Sequence, residues 1–259
     1  ERFGLSVDEV YSLGKIKNLT LLHYHTGSEV LKESDLLRPL KKAMEVYLHL
    51  KKNNPSLDTI DIGGGFPGNY TGKPMYTTKS VVYGMVRFIE KFCAEHVIPH
   101  PNIICEWGTH IVAPAQITVF SILTSKLLPK STAKQWYIID GSFQTHLLDA
   151  WAVHRQWHIV PVNNALSRKL TRTWLAGLSC DSDDKYTAGG SYILLPRLED
   201  LENGAKQYIA FLDTGNYQDG FLNHHCLNAA PAKVVCQNGD VVLIRKREGP
   251  EEVGKLFGW

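Results

Sequence analysis

Residues 59–68 read T-I-D-I-G-G-G-F-P-G, and the fold follows from how that run starts and stops. Thr59–Ile62 reads as a short strand that halts at Gly63-Gly64-Gly65. Upstream, Asn53-Asn54-Pro55 ends a helix running to about Lys52, with Ser34 as its candidate cap. Leu36, Leu37, Leu40, Met44, Tyr47 and Leu48 share one face of that helix, and Pro39 is expected to delay its regular part. Before it, Leu19–Tyr24 is another apolar run, closing on His25-Thr26-Gly27-Ser28. Downstream, a helix from about Val81 to His96 carries Val82, Val86, Ile89 and Cys93. His100-Pro101 then breaks the chain before the strand Asn102–Cys105, which ends at Glu106. Strand, helix, strand, helix, strand is the signature of a parallel sheet, and polar residues gather at the strand C-termini. In a (β/α)8 barrel that end builds the active site.

After about Val112 the texture changes. Trp136–Ile139, Tyr192–Leu195, Val234–Val235 and Val241–Ile244 read as short strands, and Gln237-Asn238-Gly239-Asp240 as a hairpin turn. The expected organisation is a partial barrel over 1–115 and a mostly β domain over 116–259. No internal repeat or low-complexity segment is present. Only three to four βα units are legible, so the rest of the barrel is expected on sequence outside this chain.

The 259 residues, 44% hydrophobic and 21% charged, suit a globular protein. A net charge of +2 argues against nucleic acid or an anionic membrane as partner, and no apolar run is long enough to span a bilayer. Five cysteines, Cys93, Cys105, Cys180, Cys226 and Cys236, are scattered without a C-x-x-C pair. They suit a reducing, cytoplasmic compartment and argue against a disulfide framework or a structural zinc site, so no metal is expected. The opening E-R-F-G-L-S has no basic or apolar leader region and reads as a cut into something longer.

Singly, the chemical candidates are weak. A histidine after a strand is more often structural, a glycine triplet more often a tight turn, Glu106 could be half of a salt bridge, and a free thiol such as Cys180 is by default a buried small hydrophobe. Together they suit an aromatic phosphate cofactor. Glycines let backbone N–H groups approach an anion, and Ser28 adds a donor. An imidazole can stack on a flat ring, and a carboxylate can keep a pyridine nitrogen protonated.

F-G-L-S at Phe3–Ser6, L-H-Y-H-T-G-S at Leu22–Ser28, D-I-G-G-G-F-P-G at Asp61–Gly68 and C-E-x-G at Cys105–Gly108 resemble the barrel of the fold type III pyridoxal-phosphate (PLP) decarboxylases. That group includes ornithine, diaminopimelate and arginine decarboxylases, with an alanine-racemase-like barrel and a β domain. Val81–Gly84 (V-x-Y-G), Pro99–Pro101, Phe143-Gln144, Asp149–Trp151, Cys180–Asp183 and Gly215–Gln218 (G-x-Y-Q) look most like the biosynthetic arginine branch.

The resemblance implies that His25 stacks on PLP, that Ser28, Gly63, Gly64 and Gly65 hold its phosphate, and that Glu106 pairs with the pyridine nitrogen. Gly108 would lie by the phosphate and Tyr217 would close it. Cys180 would donate a proton to the substrate carbon after CO2 leaves, and Asp181 would bind the substrate's distal cation, both from the partner subunit of a dimer or higher oligomer. The implied activity is a carboxy-lyase reaction converting L-arginine to agmatine in polyamine biosynthesis. An ornithine-type enzyme, an inactive paralogue that regulates a partner subunit, and an unrelated phosphate-binding α/β protein are the alternatives.

Two features depart from the family. Thr109-His110 follows Gly108 where an arginine is usual. No lysine occupies the early strand that carries the Schiff-base lysine; Lys15, Lys17 and Lys32 sit in helix or loop context. That lysine is expected on an N-terminal half of the same enzyme, leaving the isolated chain inactive. The long helical insertion that arginine decarboxylases commonly carry between Glu106 and Cys180 is also absent.

Overall fold

The computed structural model describes residues 2–68, 70, 76–200 and 205–259. The chain divides into two compact units, one within 1–69 and 73–111 and one within 70–72 and 112–259.

The first unit is α/β. Helix α1 (Val7–Ser12) starts at Ser6, whose hydroxyl and backbone exchange hydrogen bonds with Glu9. Strands β1 (Leu21–His23), β2 (Thr59–Asp61) and β3 (Asn102–Ile104) form a parallel sheet in that order, Leu22 opposite Ile60 and Ile60 opposite Ile103. Between them run α2 (Glu33–Lys51) and α3 (Thr78–His96). Leu40, Met44, Tyr47, Ile60, Val81 and Ile89 make the dry centre. Tyr47 satisfies its hydroxyl on the Leu57 carbonyl, and burial pushes that phenol up to about 12. Asn54 is buried and ties three segments, accepting from the Ile16 N–H and donating to the carbonyls of Gly14 and Leu50.

Three helix details differ from the sequence expectation. Helix α2 begins at Glu33 behind Lys32, so Ser34 is inside it and is not the cap; Glu33 and Asp35 favour that end through their charge. Pro39 lies within the helix and does not delay it, the burial of Leu36 and Leu40 on either side offsetting the missing hydrogen bond. Helix α3 starts three residues before Val81, because a capping box between Thr77 and Ser80 organises a polar first turn that carries no apolar periodicity.

The second unit is mostly β. After the short helix α4 (Gly108–Val112), which closes the first unit, come β4 (Thr118–Leu127), β5 (Gln135–Ile139), α5 (Asp149–Ala152), β6 (Ile159–Pro161), β7 (Leu170–Ala176), β8 (Lys185–Tyr186), β9 (Ile193–Pro196) and β10 (Tyr208–Phe211). The sheet order is β6-β10-β4-β5-β7-β8, with β9 also on β7, and only β5–β7 is parallel. Phe120, Tyr137, Phe143, Tyr186 and Phe211 fill its core. Sequence periodicity does not show β4, β6, β7, β8 or β10. In β4 the reason is visible: a register shift between Ile122 and Thr124 breaks the period of two. Strands β11 (Lys233–Gln237) and β12 (Asp240–Arg245) pair about Asn238-Gly239, both at positive φ as a two-residue hairpin turn demands, and α6 (Pro250–Leu256) follows. No helix among the described residues is long and apolar enough to cross a membrane.

Candidate active site

A parallel sheet places all its strand C-termini at one end, so residues far apart in sequence meet there without further design. Beyond the assigned strands the ladder continues: Tyr24 N–H donates to the Asp61 carbonyl, Ile62 N–H to Ile104, and Glu106 N–H to Gly63. His25, Gly63–Gly65 and Glu106 therefore emerge side by side.

The glycine turn admits nothing larger. Gly63 has φ +67°, and a Cβ there would overlap the Tyr24 carbonyl. A Cβ on Gly64 would lie 3.1 Å from both the Glu106 carbonyl and His25 Cε1, and one on Gly65, at φ +99°, 2.7 Å from the Gly27 carbonyl. Asp61 fixes the turn from beneath. One carboxylate oxygen accepts the Gly63 N–H at 2.9 Å and the other faces His23 Nδ1 at 3.0 Å. Because a carboxylate only accepts, His23 Nδ1 carries the hydrogen.

His25 Nδ1 accepts the Gly64 N–H at 3.2 Å, so that nitrogen is bare and the imidazole is neutral with its hydrogen on Nε2. Ligand atoms of His23, Asp61 and Glu106 lie within 4.8 Å of one another. His23 and the Gly63 N–H already serve Asp61, whereas the exposed Glu106 carboxylate takes no ion pair among the described residues. Two hydroxyls are shut off from solvent with no partner there, Thr26 Oγ1 and Tyr24 Oη. Burial, reinforced by Asp61, pushes the Tyr24 phenol well up, keeping it a donor, and the same two causes raise the Cys105 thiol. A Cβ on Gly65 would stand 3.5 Å from Thr26 Oγ1, so this orphan donor borders the glycine turn. Ser28 and Gly108 are exposed in the same unit.

His110, which follows the position of the missing arginine, is committed elsewhere. Its Nδ1 is 3.2 Å from the Pro67 carbonyl, its Nε2 is 3.2 Å from Thr78 Oγ1, and its ring meets Phe66 edge-on. It secures the glycine loop to the start of α3.

Cys180, Asp181 and Tyr217 belong to the second unit. Cys180 is exposed, so the buried-hydrophobe alternative does not describe it. Its loop is built on Asp184, a buried carboxylate that accepts from Phe143 N–H at 2.7 Å and Ser179 N–H at 2.9 Å. The Asp183 N–H, followed by Gln144, holds the Asp181 carboxyl below the usual carboxylate range. Tyr217 has φ +62° and stacks on Phe221. Its turn needs Gly215, where a Cβ would overlap the Val112 carbonyl, and Gln218, whose side chain accepts the Asp149 N–H. The G-x-Y-Q and D-A-W segments are thus one joined structure. Asp149 in turn pairs with Arg155 at 2.9 Å.

Residues 1–113 match the pyridoxal binding domain of the pyridoxal-dependent decarboxylases. The resemblance read from the sequence is thereby shown, and with it the cofactor, pyridoxal 5'-phosphate. Over 254 residues the chain is 25% identical to the diaminopimelate decarboxylase of Aquifex aeolicus, covering 95% of this chain and 56% of that protein. It is 27% identical to the biosynthetic arginine decarboxylase of Pasteurella multocida over 192 residues, 63% of this chain and 30% of that one. The chain thus spans little more than half, or less, of these relatives. The biosynthetic arginine decarboxylase of Campylobacter jejuni shares the fold at TM-score 0.79 and 13% identity, over 93% of this chain and 56% of its own. So does Helicobacter pylori diaminopimelate decarboxylase complexed with L-lysine, at TM-score 0.74 and 21% identity, over 92% and 54%. The residues of the matched stretch fit the cofactor. The glycine turn has no room for side chains, Thr26 offers an orphan donor beside it, and Glu106 is an unmatched carboxylate at the same end.

Motif spacing alone does not reveal the supporting residues here. His23 lay inside a quoted motif and Asp61 opened another, yet their pairing needed the sheet register, and Thr26 carried no signal beyond its neighbours.

Proposed function

We propose that this chain is part of a PLP-dependent decarboxylase of basic amino acids, with L-arginine, giving agmatine, as the first substrate to test. The observation that carries the reading is the unmatched Glu106 carboxylate standing beside the glycine turn and the neutral His25 ring. PLP supplies an electron sink for the negative charge left on the substrate carbon when CO2 departs.

The chain's residues have the following parts. Gly63, Gly64 and Gly65, whose bare backbone lets an anion approach, hold the phosphate with Ser28 and Gly108, while the Gly63 and Gly64 N–H groups stay on Asp61 and His25 and brace the turn; Thr109 contributes no guanidinium there. The neutral His25 imidazole offers its face to the ring, and Glu106 keeps a proton on the ring nitrogen. Cys180 Sγ gives its proton to the substrate carbon, and the Asp181 carboxylate, kept anionic by Asp183 and Gln144, receives the substrate's distal cation. Both come from the partner subunit of a dimer, and Tyr217 closes the phosphate site. Among the described residues of the first unit the lysines lie on helices and loops, none on β1–β3. The reactive lysine is therefore assigned to sequence beyond these 259 residues, without which this chain releases no CO2.

The Cys180-Asp181 pair favours an arginine- or ornithine-type substrate. Coverage of 95% of this chain by the Aquifex enzyme favours diaminopimelate as the second reading. Release of labelled CO2 from arginine, ornithine and diaminopimelate by the complete protein decides among them. In that protein Glu106→Gln should retain PLP and lose most turnover; near-normal turnover would overturn the assignment of Glu106. Mixed Cys180→Ala and Glu106→Gln subunits should recover part of the activity that each lacks, and no recovery after verified subunit exchange would remove the shared site.

A further inference from the structure

The sulfurs of Cys180 and Cys226 lie 3.9 Å apart on the surface of the second unit, though 46 residues separate them in sequence. We propose that these two thiols form a reversible disulfide, a modification site that withdraws the Cys180 thiol from chemistry. The effect on turnover rests on the role given to Cys180 above; the bond itself does not.

Both loops are anchored to the same short segment. From one side, Ser179 Oγ donates to Gln144 Oε1 at 3.2 Å, and Asp184 binds the Phe143 and Ser179 N–H groups. From the other, Asn223 Nδ2 donates to the Gln144 carbonyl at 2.8 Å, and Asn223 Oδ1 accepts the His225 N–H at 3.0 Å. Gln144 is buried, so this bridge is shielded from competing water. The two loops thus share a common support, and a bond between the sulfurs needs them to close from 3.9 Å to about 2.0 Å.

The backbone at Cys226 points the same way. Cys226 has φ +54° and Leu227 φ +58°, two successive non-glycine residues in the left-handed region. Such conformations persist where surrounding contacts enforce them, and they cluster at functional positions. Here the enforcing contacts are Leu227 N–H to the His224 carbonyl and Asn228 Nδ2 to the His225 carbonyl. The other thiols have no such partner: Cys93 is buried, and no sulfur contact is made by Cys105 or Cys236 among the described residues.

The chemistry balances with a peroxide as oxidant. One thiol gives up its proton, its sulfur attacks a peroxide oxygen, the O–O bond breaks, and a sulfenic acid and hydroxide result, the released proton turning the hydroxide into water. The second thiol attacks that sulfur, the S–S bond forms, and a second water leaves. Two electrons pass from the thiols to the peroxide, and a dithiol reductant reverses the change. A cysteine set suited to a reducing compartment makes such a bond a transient, sensing one.

The test is to expose the native complete protein to hydrogen peroxide, block remaining thiols, and map peptides without reduction. A Cys180–Cys226 cross-linked peptide, an intact mass lower by two hydrogens, and reversal by a dithiol are expected. Cys93 should stay reduced, and Cys226→Ser should leave reduced-state turnover intact while halting Cys180 at the sulfenic acid. Separate sulfenic or sulfinic acids with no cross-link, or cross-links through other cysteines, would overturn the proposal. Turnover measured on the same samples separates the two ideas. If it falls with the cross-linked fraction and returns on reduction, both stand. Cross-linking with turnover unchanged keeps the disulfide and removes Cys180 as proton donor.

Discussion

The two units present their candidate residues by different physical means. In the first, topology does it: three parallel strands of three residues each end on the same edge and bring His25, Gly63–Gly65 and Glu106 together through backbone ladder bonds. In the second, neighbouring strands mostly run in opposite directions, so no common strand end exists. The loops bearing Cys180 and Asp181 are instead pinned by buried side chains, Asp184 and Gln144, beneath an aromatic core. A site made by topology tolerates loss of a side chain but not the addition of one at a glycine. A site made by side-chain tethers fails in the reverse way.

The largest expected effect tests the tethered loop. Asp184→Ala strands the buried Phe143 N–H and the half-buried Ser179 N–H, and should lower stability by about 3 kcal/mol in chemical denaturation. An unchanged midpoint would show that the loop is not held this way. Gly63→Ala tests the topological site. The left-handed backbone and the overlap with the Tyr24 carbonyl should cost about 2 kcal/mol. PLP affinity should fall by roughly tenfold or more, read by absorbance titration of the complete protein. Retained affinity would remove the glycine turn from the phosphate site.

A third measurement uses pH. His146 is pushed below its ordinary value chiefly by burial, and its Nδ1 accepts the Ser142 N–H while its Nε2 faces the Ala229 carbonyl. The native ring is therefore neutral. Stability is complete above the unfolded value, near 6.5, and is lost as pH falls from there to the lower native value, since the unfolded chain takes up the proton first. The slope reaches at most about 1.4 kcal/mol per pH unit for one proton. His146→Gln should abolish this component, and a slope that survives the substitution assigns it elsewhere. The smallest effect sharpens the contrast. Thr26→Val removes a buried hydroxyl without a partner, so the ligand-free protein should gain up to about 1 kcal/mol while PLP binds less tightly. A loss of stability instead would mean that the hydroxyl has a partner in the folded protein.

Much of the first unit was legible because its signals are local. A strand that stops at three glycines, a helix with one apolar face and a two-residue Asn238-Gly239 turn each depend on neighbours a few positions away. Helix ends were less legible. Lys32 replaced Ser34 at the start of α2, and the polar turn at Thr77–Ser80 was hidden, because capping depends on which backbone N–H groups remain exposed. The register shift at Ile122 hid β4, since one extra residue exchanges the two faces of a strand.

The sequence by itself determined the α/β-then-β order, the cofactor class and the chain positions of His25, Gly63–Gly65 and Glu106, because backbone geometry and motif chemistry are written within short runs. Only the tertiary structure decided that His23 serves Asp61, that Glu106 is left unmatched, and that Cys226 faces Cys180. Those facts are distances between residues remote in sequence, and distance is set by sheet register and by buried hydrogen bonds, which no short run contains.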